Sequence, residues 1–336
     1  MNKRPPAIVV SGITKKYKGV IAVDNVSFEV EQGEMFGFLG PNGAGKTTLI
    51  RMLTTLIPKS SGKAMVASFD VSKEPDAVRR AIGVVPQAMT TDLDLTAYEN
   101  MDIYGRFYEI PPLRRKEQIQ QLLEKVGLSA RAHDLVASYS GGMRRRLEIV
   151  RALMHLPSIL FLDEPTIGLD PQSRRVVWDF IRTIRQTDHT TIFLTTHYME
   201  EAEALCNKVA IIDSGKIIAI GSPEELKTGL PGNDVVSLQV ESNASVAFDL
   251  VKALPFVHKA NMENNHIKIY VDNGAQALPL LVQEVHAADA KILSATLHER
   301  SLEDVFVHYT GKSIREEETR RVNFFIGAGM PPKFGR

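Results

Sequence analysis

Residues 40–47 read Gly40-Pro41-Asn42-Gly43-Ala44-Gly45-Lys46-Thr47, and they match the pattern Gly-x-x-x-x-Gly-Lys-[Ser/Thr]. Glycines let the backbone approach an anion closely, because no Cβ stands in the way. Successive backbone N–H groups, followed by a helix N-terminus, then point at that anion. Lys46 adds positive charge, and the Thr47 hydroxyl can bind Mg²⁺. The segment predicts a loop that binds the phosphates of a nucleotide.

The residues on either side of this loop supply the context that the motif requires. Glu34–Leu39 is an apolar run typical of a buried strand, and Thr48–Leu53 has the pattern of a helix. A strand–loop–helix arrangement is expected of a phosphate-binding loop. An ordinary glycine-rich turn before a helix is the alternative, and the other motifs of the chain distinguish the two.

Composition narrows the class of protein. A chain of 336 residues with 44% hydrophobic residues fits two globular domains. Lys plus Arg and Asp plus Glu number 40 each, a balance that does not favour nucleic acid as a partner. The single cysteine, Cys206, excludes an internal disulfide. No apolar run approaches the ~20 residues of a membrane helix, and Ala7–Val10 is too short for a signal-peptide core. If the protein acts at a membrane, we expect another chain to span it.

The order of the strand and helix patterns predicts an α/β fold. An alternating pattern over the first thirty residues predicts an antiparallel β subdomain, and the strand–helix alternation from residue 34 predicts a parallel sheet. Residues 88–156 read as a helical insertion, because their apolar spacing is helical and no strand run interrupts it. The predicted strands are Ile8–Val10, Val26–Val30, Ile82–Val85, Ile159–Leu162, Thr191–Leu194 and Val209–Ile212.

A second, smaller domain follows a linker at residues 227–234, which contains two glycines and a proline. We therefore predict a nucleotide-binding domain at 1–228, a C-terminal α+β domain at 229–312 and a flexible tail at 313–336. The predicted elements of the second domain are strands at 235–240, 266–271 and 291–297, and helices at 246–254, 275–287 and from Ser301. The tail contains Arg320-Arg321 and Phe324-Phe325, which could touch a membrane, although a disordered end is favoured.

Two carboxylates follow the apolar strand at 159–162. On a strand, adjacent side chains point to opposite sides, so Asp163 and Glu164 can have separate roles. Asp163 can hold Mg²⁺, and Glu164 can polarise an attacking water. A buried strand that ends in a solvated acidic turn is the alternative.

Three weaker signals accompany this pair. Ser140-Gly141-Gly142 is typical of a capped helix start and offers a second anion-binding N-terminus; alone, plain capping would explain it better, but its position shortly before the Asp-Glu strand favours the anion site. His197 follows the strand Thr191–Leu194 and could sense a γ-phosphate, or could be an ordinary surface histidine. Gln87 follows the strand Ile82–Val85, where an amide can reach Mg²⁺ or water.

In this order, and with the turn Gly168-Leu169-Asp170, the motifs resemble those of the ATP-binding subunit of ABC transporters. The resemblance spans roughly residues 7–225. It implies a phosphate-loop NTPase core that binds ATP and Mg²⁺, with Gly40 to Thr48 around the phosphates. It also implies that Thr47, Gln87 and Asp163 are ligands of Mg²⁺.

The resemblance implies further roles. Tyr17 would stack on adenine, although an exposed turn tyrosine is the alternative. Glu164 would be the general base and His197 the switch histidine. Ser140, Gly141 and Gly142 would bind the γ-phosphate of ATP held by a second copy, and Asp170 would lie at that dimer interface. Tyr139 and Met143 depart from the usual Leu-Ser-Gly-Gly-Gln signature at its outer positions.

Local sequences narrow the resemblance to the branch that contains daunorubicin-resistance exporters. They are Tyr139–Leu147, Thr195–Glu203 and Leu302–Phe306. That branch implies an ATPase that powers export of a drug, lipid, polysaccharide or ion through a separate polytopic permease, from a peripheral position on the cytoplasmic face of the membrane. The expected docking segment for the permease is 88–110, unless those residues only pack the insertion.

Two other classes of protein remain as alternatives. A soluble ABC-type ATPase with a role in translation or DNA repair is one, although the chain has one ATPase unit and no sustained heptad pattern. A regulatory protein whose C-terminal domain senses a ligand is the other. The role of the C-terminal domain stays open at this point.

Overall fold

The computed structural model describes residues 5–188, 190–230, 232 and 234–310. Contacts divide the chain into two units between Ile220 and Gly221, whereas the sequence placed the boundary after residue 228. The predicted tail at 313–336, with Arg320-Arg321 and Phe324-Phe325, lies outside the described residues.

A four-stranded sheet near the N-terminus has the order β2-β1-β4-β5. Its strands are β1 (Ile8–Tyr17), β2 (Val20–Val30), β4 (Ser61–Val66) and β5 (Phe69–Asp70). All three pairings are antiparallel, which confirms the predicted subdomain. The sequence did not predict β4 and β5, since β4 begins with the polar run Ser61-Gly62-Lys63 and β5 has two residues.

The second sheet has six strands in the order β10-β9-β3-β8-β7-β6. They are β3 (Met35–Leu39), β6 (Ile82–Val85), β7 (Ile159–Asp163), β8 (Thr191–Thr196), β9 (Lys208–Asp213) and β10 (Lys216–Gly221). Strands β9, β3, β8, β7 and β6 pair in parallel, as predicted. Their carboxyl ends therefore meet at one edge, which brings together the phosphate loop after β3, Asp163 on β7, Gln87 beyond β6 and His197 beyond β8.

Aromatic side chains fill the space between these two sheets. Phe36, Phe38 and Phe193 of the parallel sheet lie within 5.1–5.9 Å, centroid to centroid, of Phe28 on β2. All residues of β3, β7 and β8 are buried. This explains why their sequences are continuous apolar runs without alternation, as is usual for a parallel sheet covered on both faces.

Helices of this unit flank the sheet or form the insertion. The flanking helices are α1 (Lys46–Leu53), α2 (Pro75–Ala81), α6 (Pro171–Asp188) and α7 (Met199–Leu205). The insertion contains α3 (Ala97–Phe107), α4 (Pro112–Lys125) and α5 (Gly141–Ala152), and between β6 and β7 the structure has one isolated β-bridge and no strand. The predicted helical insertion is confirmed. Within the described residues, no helix is both long and apolar enough to cross a membrane.

The C-terminal unit is an antiparallel sheet of order β12-β13-β11-β14 with helices. Its elements are α8 (Pro223–Thr228), β11 (Asp234–Val240), α9 (Ala244–Lys252), β12 (Val257–Glu263), β13 (His266–Val271), α10 (Gly274–Ala287), β14 (Ile292–Glu299) and α11 (Leu302–Thr310). Ser301 and Asp304 form the expected reciprocal cap of α11. Every predicted element is present. Strand β12 was missed, because its charged residues conceal the alternation.

Candidate nucleotide-binding and hydrolysis site

The phosphate loop has a backbone that only glycine fits at two positions. Gly45 has φ +111°, and a Cβ on it would lie 2.4 Å from the carbonyl oxygen of Ala22. A Cβ on Gly40 would lie 2.2 Å from the carbonyl oxygen of Ile212. Because no side chain caps α1, its first N–H groups are not taken by a cap. The loop and the helix start thus have the form of an anion site.

Lys46 is 4% exposed, and its ammonium is surrounded by oxygens. It donates to the carbonyls of Gly40 (2.7 Å) and Pro41 (3.1 Å), and Nζ lies 3.1 Å from Oε1 of Glu164. A buried ammonium requires such partners, because burial without them would be very costly. The loop therefore holds its own lysine over the site, against the carboxylate of Glu164.

Asp163 lies at the end of β7 beside the first turn of α1. Its Oδ1 accepts from Oγ1 of Thr195 (2.6 Å) and of Thr47 (3.3 Å). Burial raises the pKa of the Asp163 carboxyl, and the two hydroxyl donors only partly offset that effect. The sequence predicted Asp163 and Thr47 but missed Thr195, which had no signal beyond its place in an apolar strand.

Glu164 has the left-handed backbone angle φ +49°, which is uncommon for a residue with a side chain. Its N–H donates to the carbonyl of Thr195 at 3.0 Å, which holds this conformation. Burial raises the pKa of the Glu164 carboxyl, but the adjacent His197 ring and the charge of Lys46 outweigh it, so the net pKa lies below the ordinary value. Glu164 is therefore a carboxylate at neutral pH.

His197 and Gln87 complete the set around the carboxylate. Nδ1 of His197 lies 3.3 Å from Oε2 of Glu164, and the ring packs on Tyr198 with centroids 4.0 Å apart. Gln87 lines the same cavity as the phosphate loop. That cavity has a volume of about 320 Å³, and its lining residues are Ala22, Asn42, Gly43, Gly45, Lys46, Thr47, Thr48, Gln87 and Glu164. Every lining residue except Ala22 belongs to the predicted site.

Tyr17 does not line this cavity. It lies at the end of β1, is 47% exposed, and has the Lys15 ammonium 5.1 Å from its ring centroid. An exposed ring can stack on a flat heterocycle, so the role in adenine binding stays a prediction.

The signature residues also lie outside the cavity lining. Oγ of Ser140 accepts the N–H of Met143 at 3.3 Å, so Ser140 caps α5 as expected. Ser140 and Gly141 are exposed, while Gly142 is buried. Within one chain, the predicted γ-phosphate clasp therefore faces outward and does not join the phosphate loop.

The turn at Gly168–Asp170 packs beside the signature. A Cβ on Gly142 would lie 3.0 Å from the Ser173 side chain, and one on Gly141 would lie 3.3 Å from Leu169. Oδ1 of Asp170 accepts the N–H of Ser173 at 2.9 Å, which stabilises the start of α6. The small signature residues thus allow α5 and α6 to meet closely.

Arg145 is the most consequential residue that the sequence analysis missed. Its guanidinium is 2% exposed and donates to four carbonyls, those of Pro86 (2.8 Å), Asp163 (3.2 Å), Glu164 (3.0 Å) and Pro165 (2.5 Å). The run Arg144–Arg146 looks like a solvated face. Arg145 follows Gly142 by three residues and precedes Ile149 by four, and all three lie on the buried face of α5. This helical spacing was the signal that could have identified it.

Two buried glutamates were also missed. Glu148 on α5 accepts the N–H groups of Thr90 (2.6 Å) and Thr91 (2.5 Å), in the segment after Gln87. Glu201 on α7 is fully buried, and its Oε1 accepts from Oγ1 of Thr166 (2.7 Å) and Nε1 of Trp178 (2.8 Å). Burial raises the pKa of the Glu201 carboxyl. Together with Arg145, these residues connect α5 and α7 to the carboxyl ends of β6 and β7.

Comparison with known families divides the chain as the structure does. Residues 23–167 match the ABC transporter family. Residues 221–310 match the C-terminal domain of DrrA1-3-like ATP-binding proteins.

Curated proteins resemble nearly the whole chain. The daunorubicin/doxorubicin resistance ATP-binding protein DrrA of Streptomyces peucetius is 39% identical over 323 residues, covering 95% of this chain and 97% of that protein. The linearmycin resistance ATP-binding protein LnrL of Bacillus subtilis is 37% identical, covering 90% and 98%. The Nod factor export ATP-binding protein I of Cupriavidus metallidurans is 39% identical, covering 90% and 97%.

Solved structures resemble about two thirds of the chain in fold. CbiO1 of Clostridium perfringens, part of the transporter complex cbiONQ, aligns with a TM-score of 0.63 at 23% identity, covering 67% of this chain and 92% of that one. The ATP-binding cassette MJ0796, a dimer in a post-hydrolysis state with ADP and phosphate, aligns with a TM-score of 0.58 at 24% identity, covering 64% and 98%.

Proposed function

This chain belongs to the ATP-binding proteins of ABC transporters and is an ATPase, and we propose that it powers export through a separate permease. The observation that carries the proposal is the convergence of Lys46, Thr47, Gln87 and Glu164 on one cavity of about 320 Å³. The full-length similarity to drug-resistance and Nod-factor-export proteins supports the direction of transport.

In the proposed reaction, ATP binds with its phosphates against the loop and α1. The phosphate oxygens compete with Glu164 for Lys46, which lies 3.1 Å from that carboxylate. Glu164 then accepts a proton from water as the water oxygen attacks the γ-phosphorus and ADP leaves. Its lowered pKa keeps it ionised, and Nδ1 of His197 lies 3.3 Å from its other oxygen.

Mg²⁺ fits the oxygen donors on the ATP side of this site. Thr47 and Asp163 would hold it together with Gln87, since Oγ1 of Thr47 and Oδ1 of Asp163 already lie 3.3 Å apart. The ion would supply charge neutralisation at the β- and γ-phosphates.

We further propose that the site is completed by a second copy in head-to-tail orientation. The exposed position of Ser140 and Gly141, outside the cavity lining, supports this arrangement. The N–H groups at the start of α5 would bind the γ-phosphate of ATP on the partner, and Asp170 would lie at the interface. Tyr17 would stack on the adenine of a bound ATP.

The proposed permease-docking surface is the segment 88–110. It is rich in exposed apolar side chains, among them Leu93 (42%), Ile103 (42%) and Phe107 (80%). Exposed apolar patches of this kind mark protein interfaces. Glu148 connects the segment to α5 by accepting the N–H groups of Thr90 and Thr91. A permease bound to the segment would therefore be linked to the helix that begins at the signature. The protein would then be peripheral to the cytoplasmic face of the membrane.

A soluble ATPase with a regulatory role is the alternative, and one experiment separates the two. The tagged chain is purified from detergent-solubilised membranes, and co-purifying proteins are identified by mass spectrometry. Capture of a small polytopic protein that stimulates ATP hydrolysis is the expected result. A preparation with full, RNA-stimulated ATPase activity and no membrane partner would contradict the proposal. Two variants of highly exposed residues test the docking surface. Phe107→Asp should reduce co-purification of the permease, whereas Leu56→Asp, a control outside the segment, should not.

A further inference from the structure

Packing against a neighbouring ring orients the imidazole of His197. Nδ1 lies 3.3 Å from Oε2 of Glu164, but the pair lacks hydrogen-bond geometry, and no other described group bonds to Nδ1. The imidazole instead packs on the ring of Tyr198, with centroids 4.0 Å apart and an angle of 43° between the planes. Among the described contacts, this ring is therefore the constraint on how His197 faces Glu164.

Tyr198 is held in turn by Arg174 of α6. The guanidinium carbon of Arg174 lies 4.2 Å from the centroid of the Tyr198 ring, the shortest such distance among the described residues. Both side chains are partly buried, and partial desolvation strengthens the attraction between a cation and a ring. The N–H of Tyr198 also donates to Oγ1 of Thr196 at 2.9 Å. The backbone and the ring of Tyr198 are thus both fixed.

The contact with the ring is what accounts for the position of the Arg174 side chain. Its Nε is buried and has no hydrogen-bond partner in the part of the chain that the structure describes. A buried donor of this kind is normally satisfied, because leaving it unpaired costs free energy. The stacking on Tyr198 compensates for that cost and gives the arginine a defined place.

The backbone of Arg174 connects this stack to the turn Gly168–Asp170. The N–H of Arg174 donates to the carbonyl oxygen of Asp170 at 2.9 Å, and Oδ1 of Asp170 accepts the N–H of Ser173. The guanidinium therefore extends from the same helical turn that begins at Asp170, the residue proposed to lie at the interface of two copies.

We propose that Arg174 and Tyr198 are positioning residues for His197. Arg174 holds the ring of Tyr198, and the ring sets the imidazole opposite Glu164. Because Arg174 is hydrogen-bonded to Asp170, a displacement of that turn by a second copy moves the guanidinium and reaches His197 through these side chains. The inference rests on the proposed function, since it requires that His197 act in ATP hydrolysis.

Steady-state ATP hydrolysis by the full-length chain tests the role of the ring. Tyr198→Leu should lower kcat by about 10–100-fold and change KM for ATP less than about 3-fold, because a misplaced group beside the reacting atoms affects turnover more than binding. Tyr198→Phe keeps the ring and should keep most of the turnover. Equal kcat values for the two variants, or a change in KM alone, would overturn the proposal.

The same assay tests the arginine. Arg174→Gln should lower kcat about 10-fold, because the Tyr198 ring loses the cation that holds it. Arg174→Lys keeps a cation and should recover part of that loss. Arg175→Gln, the same change at the exposed neighbouring position, is the matched control and should not lower kcat. If Arg174→Gln and Arg175→Gln have the same kcat, Arg174 has no positioning role.

A second contact between the same helices separates positioning from packing. Nε1 of Trp178, one turn after Arg174 on α6, donates to Oε1 of Glu201 on α7 at 2.8 Å. Trp178→Phe removes this donor, so it should lower the free energy of unfolding while kcat stays near that of the wild type. If Trp178→Phe and Tyr198→Leu lower kcat equally, Tyr198 only holds the helices together and the proposal is wrong.

A double-mutant cycle tests the link to His197. Added to His197→Ala, Tyr198→Leu should lower kcat by less than about 2-fold further, because residues that act through one group are not additive. Independent, multiplicative losses would contradict the proposal. A second measurement needs no activity. In NMR spectra of histidine-labelled protein, the His197 ring signal, identified by its absence from His197→Ala, should shift in Arg174→Gln and not in Arg175→Gln. An unshifted signal in Arg174→Gln would also contradict it.

Failure of this inference differs from failure of the proposed function. A wild-type chain that does not hydrolyse ATP would overturn both. Hydrolysis that is lost in Glu164→Gln but normal in Tyr198→Leu would overturn only the positioning role. Thermal unfolding of each variant verifies that the chains compared in these assays are folded.

Discussion

Two helix N-termini of the first unit, those of α1 and α5, both have the form of an anion site, yet they are built differently. The start of α1 is uncapped, has Gly45 at φ +111°, and lies in a cavity with Lys46 and Glu164. The start of α5 is capped by Ser140 and lies outside that cavity. The N-terminus of α1 lies beside the groups proposed for hydrolysis, whereas the N-terminus of α5 is exposed on the surface.

The two helix N-termini also differ in the hydrogen bonds that hold them in place. Lys46 is held by carbonyls of its own loop, so the α1 site is local in sequence. The α5 helix is held by hydrogen bonds from Arg145 to the carbonyls of Pro86 and Glu164, which connect it directly to the chain around the proposed base. If the proposed composite site exists, the α1 start is its catalytic half and the α5 start its coupling half.

Replacing the proposed base should have the largest effect. Glu164→Gln should lower ATP turnover by about 10²–10⁴-fold, because the amide cannot accept the proton from water. ATP affinity should remain, and the ATP-bound dimer should accumulate in size-exclusion chromatography. Glu284→Gln, the same chemical change at an exposed position on α10 of the other unit, is the control. Near-normal ATP turnover in Glu164→Gln would contradict the role of Glu164 as the general base.

Removing the loop ammonium should have the next largest effect. Lys46→Ala should lower turnover by about 10²–10³-fold, because a donor to the phosphate charge is lost. Nucleotide affinity should fall as well, measured by isothermal titration calorimetry, which distinguishes this variant from Glu164→Gln. Lys63→Ala, on an exposed edge of β4, should leave both quantities unchanged.

The coupling half is tested by Arg145→Lys. Lysine cannot reach all four carbonyls, so the free energy of unfolding should fall by about 2–4 kcal/mol as buried acceptors lose their donors. Urea denaturation measures this loss. Arg144→Lys should change stability by less than about 0.5 kcal/mol, because Arg144 is partly exposed and donates to one carbonyl, that of Ala137. Equal effects of the two variants would contradict a special role for Arg145.

Removal of the α5 cap separates stability from activity. Ser140→Ala should cost about 1 kcal/mol of stability, because the N–H of Met143 loses its acceptor. Asn273→Ala should cost a similar amount, because Asn273 caps α10 in the other unit. Only Ser140→Ala should reduce ATPase activity. If both variants retain full activity, α5 does not present a functional N-terminus.

The smallest effect is a change in pH dependence at Glu201. Burial raises the pKa of its carboxyl in the folded state, so the folded chain binds this proton more tightly than the unfolded one. Its contribution to stability is therefore present at low pH and lost as the pH rises through the raised pKa. Glu201→Gln keeps an oxygen acceptor for Thr166 and Trp178 and should remove this part of the pH dependence. Fluorescence of Trp178, the single tryptophan, follows unfolding next to the substitution.

Much of the catalytic half was predictable from sequence, because each of its groups sits in or directly after an apolar strand. Parallel strands bring their carboxyl ends to one edge, so Lys46, Asp163, Glu164 and His197 had to converge once the strands were recognised. Arg145 was not predictable from residue type, because an arginine run usually marks a solvated face. Thr195 was hidden for a similar reason, since a threonine in a buried strand resembles any other β-branched residue.

The sequence by itself determined the nucleotide chemistry, since the spacing of glycines, lysine and carboxylates along the chain carries that chemistry directly. It also determined the two-unit organisation and the polarity of the sheet. Tertiary structure alone decided the left-handed backbone of Glu164 and the four carbonyls that Arg145 contacts. Those features depend on contacts between segments that are distant in sequence, and local sequence patterns carry no information about such contacts.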